Sequence, residues 1–135
     1  MNQSRITLDQ FSKPISFCDE GIKKWTDMLK SAMDCPIENV RQKYVNLDEN
    51  MIRLYQIEKQ IYVALTKSNN SLLFELFLKK IDQLINESYE LLQELVQMGE
   101  RPEDDYLVFC EATLETRTFL KDMCEAGRKQ YQCKA

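Results

Sequence analysis

The sequence predicts an all-α protein: an antiparallel helical bundle of three long helices plus a shorter N-terminal helix, of the four-helix-bundle type. Apolar residues recur at alternating spacings of three and four over long segments. The 135 residues include only 3 Gly and 3 Pro, so few positions can interrupt these segments. Because the connections between the segments are short, consecutive helices should be antiparallel. We expect a helical content well above the usual ~30–35%.

The N-terminal part is predicted to contribute a helix from Asp19 to Asp34, with Trp25 near its middle. Upstream, residues 6–17 predict a short helix that breaks near Pro14, because proline disfavours helical geometry in the residue before it. The whole chain, residues 1–135, is expected to form one domain. Within it, residues 1–35 should be the part most able to move or to swap between copies.

The second helix is predicted over residues 36–67, where the periodicity is clearest. A nearly continuous apolar stripe runs along it and is interrupted by Glu58 alone. A second line of apolar residues includes Ile52, Tyr55 and Tyr62, with Asp48 in one of the intervening turns. A helix with two such lines should pack against two neighbours.

The third helix is predicted from about Leu72 to Met98, after the capping cluster at residues 68–71, and it should stop at Gly99. Its broad apolar face predicts the most buried helix of the bundle. The fourth helix follows Pro102 and carries acidic residues in its first turn, where they complement the helix dipole. Gly127 should end it, and residues 128–135 are expected to fray.

Charge and hydropathy restrict the partners and the location. The chain has 18 Lys+Arg and 22 Asp+Glu, a net charge of −4, and no basic segment, so we expect no nucleic-acid partner. No apolar run reaches the ~20 residues that span a bilayer, so no membrane insertion is expected. The five cysteines are odd in number and scattered, which indicates reduced thiols and a cytoplasmic protein without a secretory signal.

The absence of histidine argues against an enzyme. Catalytic triads, Cys–His pairs and the common zinc and di-iron motifs all require an imidazole. Cys110 and Cys124 are 14 residues apart on one helix, hence ~21 Å apart, too far to hold one ion. We therefore expect no catalytic residue, no cofactor and no metal site.

Two charged residues, Glu58 and Arg117, interrupt apolar stripes on the second and fourth helices. Because burying an unpaired charge is costly, one hypothesis is a structural ion pair that fixes the register of these helices. The alternatives are that each marks an exposed end of its stripe, or that both belong to a functional pocket.

The line formed by Ile52, Tyr55 and Tyr62 is the candidate partner-binding face, because tyrosine is enriched in interface hot spots. If the N-terminal segment leaves this face uncovered, it can receive an amphipathic helix or a second copy of the chain. The alternative is ordinary core packing, with Trp25 covering the two tyrosines.

The sequence as a whole favours a non-enzymatic protein–protein interaction module of the adaptor, regulator or co-chaperone kind. A homodimer and a dedicated antagonist of one basic partner are narrower versions of this interpretation. The alternative from another class is a bundle that binds a hydrophobic small molecule or lipid between helices 2 and 3. A closed apolar cavity would favour the ligand, and a filled core with an uncovered apolar stripe would favour the protein partner.

Overall fold

The structure is a computed structural model, and it describes residues 8–67 and 71–132. This part of the chain contains four α-helices and one 3₁₀ turn. The 3₁₀ turn is Leu8–Phe11, and the helices are α1 Ser12–Ala32, α2 Glu38–Lys67, α3 Ser71–Gln97 and α4 Asp104–Gln132. The predicted all-α bundle is confirmed. Within these ranges, the structure does not describe the side chains of Leu8, Lys67, Ser71, Asp105, Phe109, Arg117 and residues 130–132.

Helix α2 is the central element of the bundle. It packs against α1, α3 and α4, and α3 also packs against α4. Cross-helix contacts show that consecutive helices are antiparallel: Lys59 near the end of α2 pairs with Asp19 of α1, and Lys43 near its start pairs with Glu94 of α3. Within residues 8–67 and 71–132, no Cα of α1 lies within 8 Å of a Cα of α4, so these two helices meet through long side chains.

The predicted apolar stripe of α2 forms the middle of the core. Six of its apolar members are buried, and so is the interrupting Glu58; the six are Val40, Leu47, Met51, Leu54, Ile61 and Leu65. The exception at the helix start is Ile37, which is 56% exposed. On α3, Phe74, Ile81 and Leu84 are also buried. Among the described residues, however, α2 buries more side chains than α3, because it packs against three helices; the expectation that α3 is the most buried helix is wrong. On both helices the buried residues recur at helical spacing, so the periodicity of apolar residues in the sequence predicts which side faces the core.

The end of α3 follows the prediction at Gly99. This residue has a φ of +83°, in the left-handed region that favours glycine. The N–H of Gly99 donates to the carbonyl of Val96 at 3.0 Å, and that of Glu100 donates to the carbonyl of Leu95 at 2.9 Å. This pair of bonds is a Schellman motif, which satisfies carbonyls left free at a helix end. The break predicted at residues 68–70 lies outside the described residues.

Helix α1 begins earlier than predicted. It starts at Ser12 and continues through Pro14 without a break, so the expectation of a separate short helix is wrong. Pro14 is the third residue of α1, where the backbone N–H would have no partner within the helix, and its missing donor therefore removes no hydrogen bond.

Helix α4 does not end at Gly127 but continues to Gln132. Gly127 is buried, and a Cβ placed on it would lie 2.6 Å from a ring carbon of Phe74. Gly21 in α1 has the same relationship to Tyr55, again at 2.6 Å. Both glycines are there because an aromatic ring of a neighbouring helix occupies the space of a side chain, and this close approach outweighs the low helix propensity of glycine.

Candidate functional site

Tyr55 is a core residue in this structure. Its side chain is 5% exposed, its ring lies against Gly21 of α1, and its hydroxyl is 3.5 Å from Oγ1 of Thr113 in α4. The indole N–H of Trp25 donates to the same Thr113 oxygen at 3.3 Å. Side chains of α1, α2 and α4 therefore meet at Thr113. Trp25 lies beside Tyr55 there, which agrees with the alternative of ordinary core packing.

Tyr62 is also in the core, 3% exposed. Its ring stacks on Phe11 of the 3₁₀ turn with ring centroids 4.9 Å apart, and its hydroxyl donates to Oε2 of Glu58 at 2.8 Å. Ile52 is half-buried against the same core. Because α1 and the 3₁₀ turn cover this line, the structure does not present Tyr55 and Tyr62 as a free partner-binding face. The two tyrosines are therefore not the exposed partner-binding face that was expected; they pack in the core, which was the alternative.

Glu58 is 7% exposed and lies beside the buried thiol of Cys18. Burial, followed by the charge of Glu58, raises the pKa of the Cys18 thiol well above its usual range. The hypothesis of an ion pair between Glu58 and Arg117 lies outside the described residues, because the Arg117 side chain is not among them. Among the described side chains, Tyr62 on the same helix donates a hydrogen bond to Glu58, and so does the Cys18 thiol.

An open groove runs over the outer side of α2, between α1 and α3. We call it the α1–α3 groove. Its volume is about 1040 Å³. The lining residues are Asp19, Ile22, Gln56, Lys59, Gln60, Val63, Ala64, Leu73 and Phe77. Each of the three helices therefore contributes to its walls or floor.

The α1–α3 groove combines apolar walls with a polar rim. Apolar surface comes from Ile22, Val63 and Phe77, while on the α1 side the ammonium of Lys59 pairs with Asp19 at 2.5 Å. On the same two turns of α3, Leu72 and Leu76 are each 61% exposed. These two exposed leucines are sequence neighbours of Leu73 and Phe77, which line the groove.

A second cleft lies between the C-terminal half of α1, the first half of α2 and the segment before α4. We call it the Asp48 cleft, and its volume is about 620 Å³. The lining residues are Lys24, Asp27, Met28, Ser31, Ala32, Cys35, Tyr44, Asp48, Arg101, Pro102, Glu103 and Tyr106.

Asp48 is a carboxylate with 1% exposure in this cleft. The hydroxyl of Tyr106 in α4 donates to its Oδ1 at 2.6 Å. Burial raises the pKa of Asp48 to about 7, and the hydrogen bond from Tyr106 opposes this change. In turn, burial and the nearby carboxylate raise the pKa of the Tyr106 hydroxyl well above its usual range.

Asp48 and Tyr106 are the residues that the sequence reasoning missed. The signal was present, because Asp48 occupies a turn of the second apolar line of α2, where an outward-facing residue is not expected. The sequence does not indicate that Tyr106 of α4, which is 58 residues after Asp48, lies next to it in the fold.

Within residues 8–67 and 71–132 there is no group of three or more Asp, Glu or Cys side chains placed to hold a metal ion. None of the helices searched in that part of the chain combines the length and apolar character needed to cross a bilayer. The two clefts present apolar side chains, aromatic rings and charged groups.

Comparison of the chain with models of protein families, with curated proteins and with solved structures gives no match.

Proposed function

We propose that this protein is a non-enzymatic protein-binding module, and that its α1–α3 groove receives an amphipathic helix of another protein. The observation that supports this most strongly is an open groove between three helices, partly apolar and not covered by any residue that the structure describes, beside the buried core. Grooves of this kind bind helices through apolar residues spaced three and four apart. Adaptors, regulators and co-chaperones are the kinds of protein that this mode fits.

The form of the groove favours a helix over a flat contact. Ala64 and Phe77 are buried at the base of the groove, and Ile22 and Val63 supply its more exposed apolar surface. A helix lying here buries its apolar residues against these four. Its polar face remains in solvent, beside the exposed Gln56 and Gln60 of the rim.

The test uses two exposed valines on the surfaces of different helices. Val63 is in the groove and is 37% exposed, whereas Val108 is 66% exposed on α4, outside the groove. We expect Val63→Lys to abolish binding of the partner, because the ammonium would be desolvated under the docked helix. Val108→Lys should leave binding unchanged. Thermal unfolding of both variants checks that the fold is intact.

The partner is identified by affinity capture from the source cells and then purified for direct titration. A protein that binds the wild type and Val108→Lys, but not Val63→Lys, supports the proposal. A partner that binds all three equally contradicts it. If a second copy of the chain is recovered as the partner, the groove is a homodimer contact, and sedimentation of the three proteins shows whether Val63→Lys dissociates it.

A second candidate function is the binding of a hydrophobic small molecule or lipid between α2 and α3. It is supported by Ala64, Leu73 and Phe77, which form an apolar wall at the junction of these helices. A fluorescent fatty acid is a direct probe. Saturable binding that Val63→Lys removes and Val108→Lys preserves would favour this candidate, because it would place the fatty acid in the groove.

We also place the protein in the cytoplasm. This is supported by the state of its cysteines: Cys18, Cys35, Cys110 and Cys124 are free thiols in the described structure, and Cys35 is the one not fully buried. Proteins of oxidising compartments usually use their cysteines in disulfides. Fluorescence imaging of the tagged full-length chain tests the assignment.

A further inference from the structure

The Asp48 cleft contains a carboxyl group beside the rings of Tyr44 and Tyr106. The rings of Tyr44 and Tyr106 meet edge to face, with centroids 5.6 Å apart and an interplanar angle of 83°. Trp25 packs against Tyr106 in the same way, at 5.5 Å and 81°. A carboxylate together with aromatic rings is the combination that proteins use to bind organic cations.

Asp48 has more capacity to accept hydrogen bonds than Tyr106 fills. An ionised carboxylate has about four acceptor sites, and the Tyr106 hydroxyl supplies one donor. A buried carboxylate with unfilled sites is costly, and additional N–H donors lower that cost. A ligand that brings a positive charge and several N–H groups would therefore be stabilised here.

Four charged side chains lie around the cleft. Its mouth is lined by two cationic side chains, Lys24 and Arg101, and by two anionic ones, Asp27 and Glu103, all of them exposed. These four charges sum to zero. Among the lining residues that the structure describes, the remaining charged group is Asp48, so the buried part is negative whenever this carboxyl is ionised.

We infer that the Asp48 cleft is a binding site for a primary alkylammonium group carried on an apolar body. The ammonium donates to the Asp48 carboxylate beside the rings of Tyr44 and Tyr106. The body lies against the apolar part of the lining, which Met28 and Pro102 supply. A free amine and the lysine side chain of another protein share this chemistry, and the experiment separates them.

The test is a titration of the full-length, ¹⁵N-labelled protein with benzylammonium, followed by amide chemical shifts. Benzyl alcohol and benzoate serve as neutral and anionic probes of the same shape. We expect benzylammonium alone to shift the amides around the cleft. Asp48→Asn should weaken this binding by about thirtyfold or more, because truncating one member of a buried charge pair has effects of that size.

Asp27→Asn is the matched control, because it removes an exposed carboxylate from the mouth of the same cleft. This variant should bind benzylammonium within about threefold of the wild type, as expected for a solvent-screened charge. The amide spectra also show directly that each variant is folded. Equal binding by the wild type and Asp48→Asn would overturn the proposal. Tighter binding of benzoate than of benzylammonium would also overturn it, because the cationic mouth would then be the site.

The pH dependence gives a second readout. Among the described side chains, the titratable or charged groups around Asp48 and the rings of the cleft are Tyr44, Tyr106, Cys110, Cys35, Lys24, Asp27, Glu100, Arg101 and Glu103. Burial raises the pKa of the Tyr44 and Tyr106 hydroxyls and brings that of the Cys110 thiol to about 12, so these groups remain protonated at neutral pH. Benzylammonium affinity should therefore increase as Asp48 ionises through about pH 7, and a flat profile would contradict the assignment.

The source of the ammonium is tested with Nα-acetyl-lysine methylamide. If this probe binds more tightly than benzylammonium and depends equally on Asp48, the ligand is a lysine side chain of a protein. If benzylammonium binds more tightly, the ligand is a free amine. Failure of the groove variants in the preceding experiment leaves this inference unaffected, because the α1–α3 groove and the Asp48 cleft share no lining residue.

Discussion

The backbone of Gly127 in α4 lies directly against the ring of Phe74 in α3, with no room between them for a side chain. A Cβ at Gly127 would be 2.6 Å from one ring carbon of Phe74 and 2.7 Å from the next. Phe74 is fully buried, so its ring has little freedom to move away. This contact sets the distance between the last turns of α4 and the start of α3.

Replacing Gly127 with alanine should therefore destabilise the protein. At an exposed helical position the same change would stabilise by about 1 kcal/mol. Here the added methyl group overpacks the core, and we expect the free energy of unfolding to fall by about 1–2 kcal/mol. Chemical denaturation of the wild type and Gly127→Ala measures the difference.

The control is the double variant Gly127→Ala with Phe74→Leu. Leucine removes the ring edge that the methyl group would meet, so the two changes together should cost less than the sum of the separate changes. Strictly additive effects, or a Gly127→Ala variant more stable than the wild type, would show that the contact does not limit the approach of α4 to α3.

Replacing both Tyr55 and Tyr62 with alanine should unfold the protein. Each ring is almost completely buried, and removing a large aromatic side chain from a core costs about 3–5 kcal/mol. The sum is comparable to the entire stability of a typical domain, about 5–15 kcal/mol. Circular dichroism of the double variant measures the loss. A fully folded variant would mean that α1 does not cover these rings in solution.

The Asp48 carboxyl should make stability depend on pH. Because its pKa is raised from 3.8 to about 7, the folded state binds this proton more tightly than the unfolded state does. The stability from this group is fully present below pH 3.8 and is lost as the pH rises through about 7. Asp48→Asn removes this dependence and should be more stable than the wild type above pH 7, by on the order of 4 kcal/mol.

The measurement is the difference in unfolding free energy between the wild type and Asp48→Asn across the pH range. Other carboxyl groups cancel in this difference. We expect it to be largest above pH 7 and to shrink towards acidic pH, where both side chains are neutral. A difference that stays constant with pH would show that Asp48 titrates normally in the folded state.

Removing the donor to Asp48 should have the opposite effect. Tyr106→Phe leaves the ionised carboxylate without its hydrogen bond from α4, which should cost about 1–3 kcal/mol at pH 8. At pH 5 the carboxyl is protonated and the cost should be smaller. Thermal unfolding at the two pH values checks this. An equal loss at both would assign the effect to packing of the Tyr106 ring instead.

The sequence was sufficient to predict the helices, because burial at helical spacing leaves a periodic pattern in a single chain. It was not sufficient at Pro14 and Gly127. Local rules place a break at both residues, yet the first lies where the helix lacks a hydrogen bond in any case, and the second lies where a ring from another helix approaches. The contact at Gly127 is a tertiary one, and no residue near Gly127 in the sequence indicates that Phe74 approaches it.

The candidate site shows the same limit. Periodicity places Ile52, Tyr55 and Tyr62 on one line, but it does not say whether another helix covers that line. The α1–α3 groove and the Asp48 cleft each depend on three or more segments of the chain. Their residues become neighbours only through the packing angles of the helices, which the pattern of a single helix does not contain.

The most direct test of the proposed protein-binding function is site-specific photo-crosslinking from the α1–α3 groove. A photoreactive phenylalanine analogue replaces Val63 in one protein and Val108 in another, and both are irradiated in the source cells. We predict that position 63 forms a covalent adduct with one partner, through a segment whose apolar residues recur every three or four positions, and that position 108 does not. Equal adducts from both positions, or a crosslinked segment without that pattern, would contradict the account.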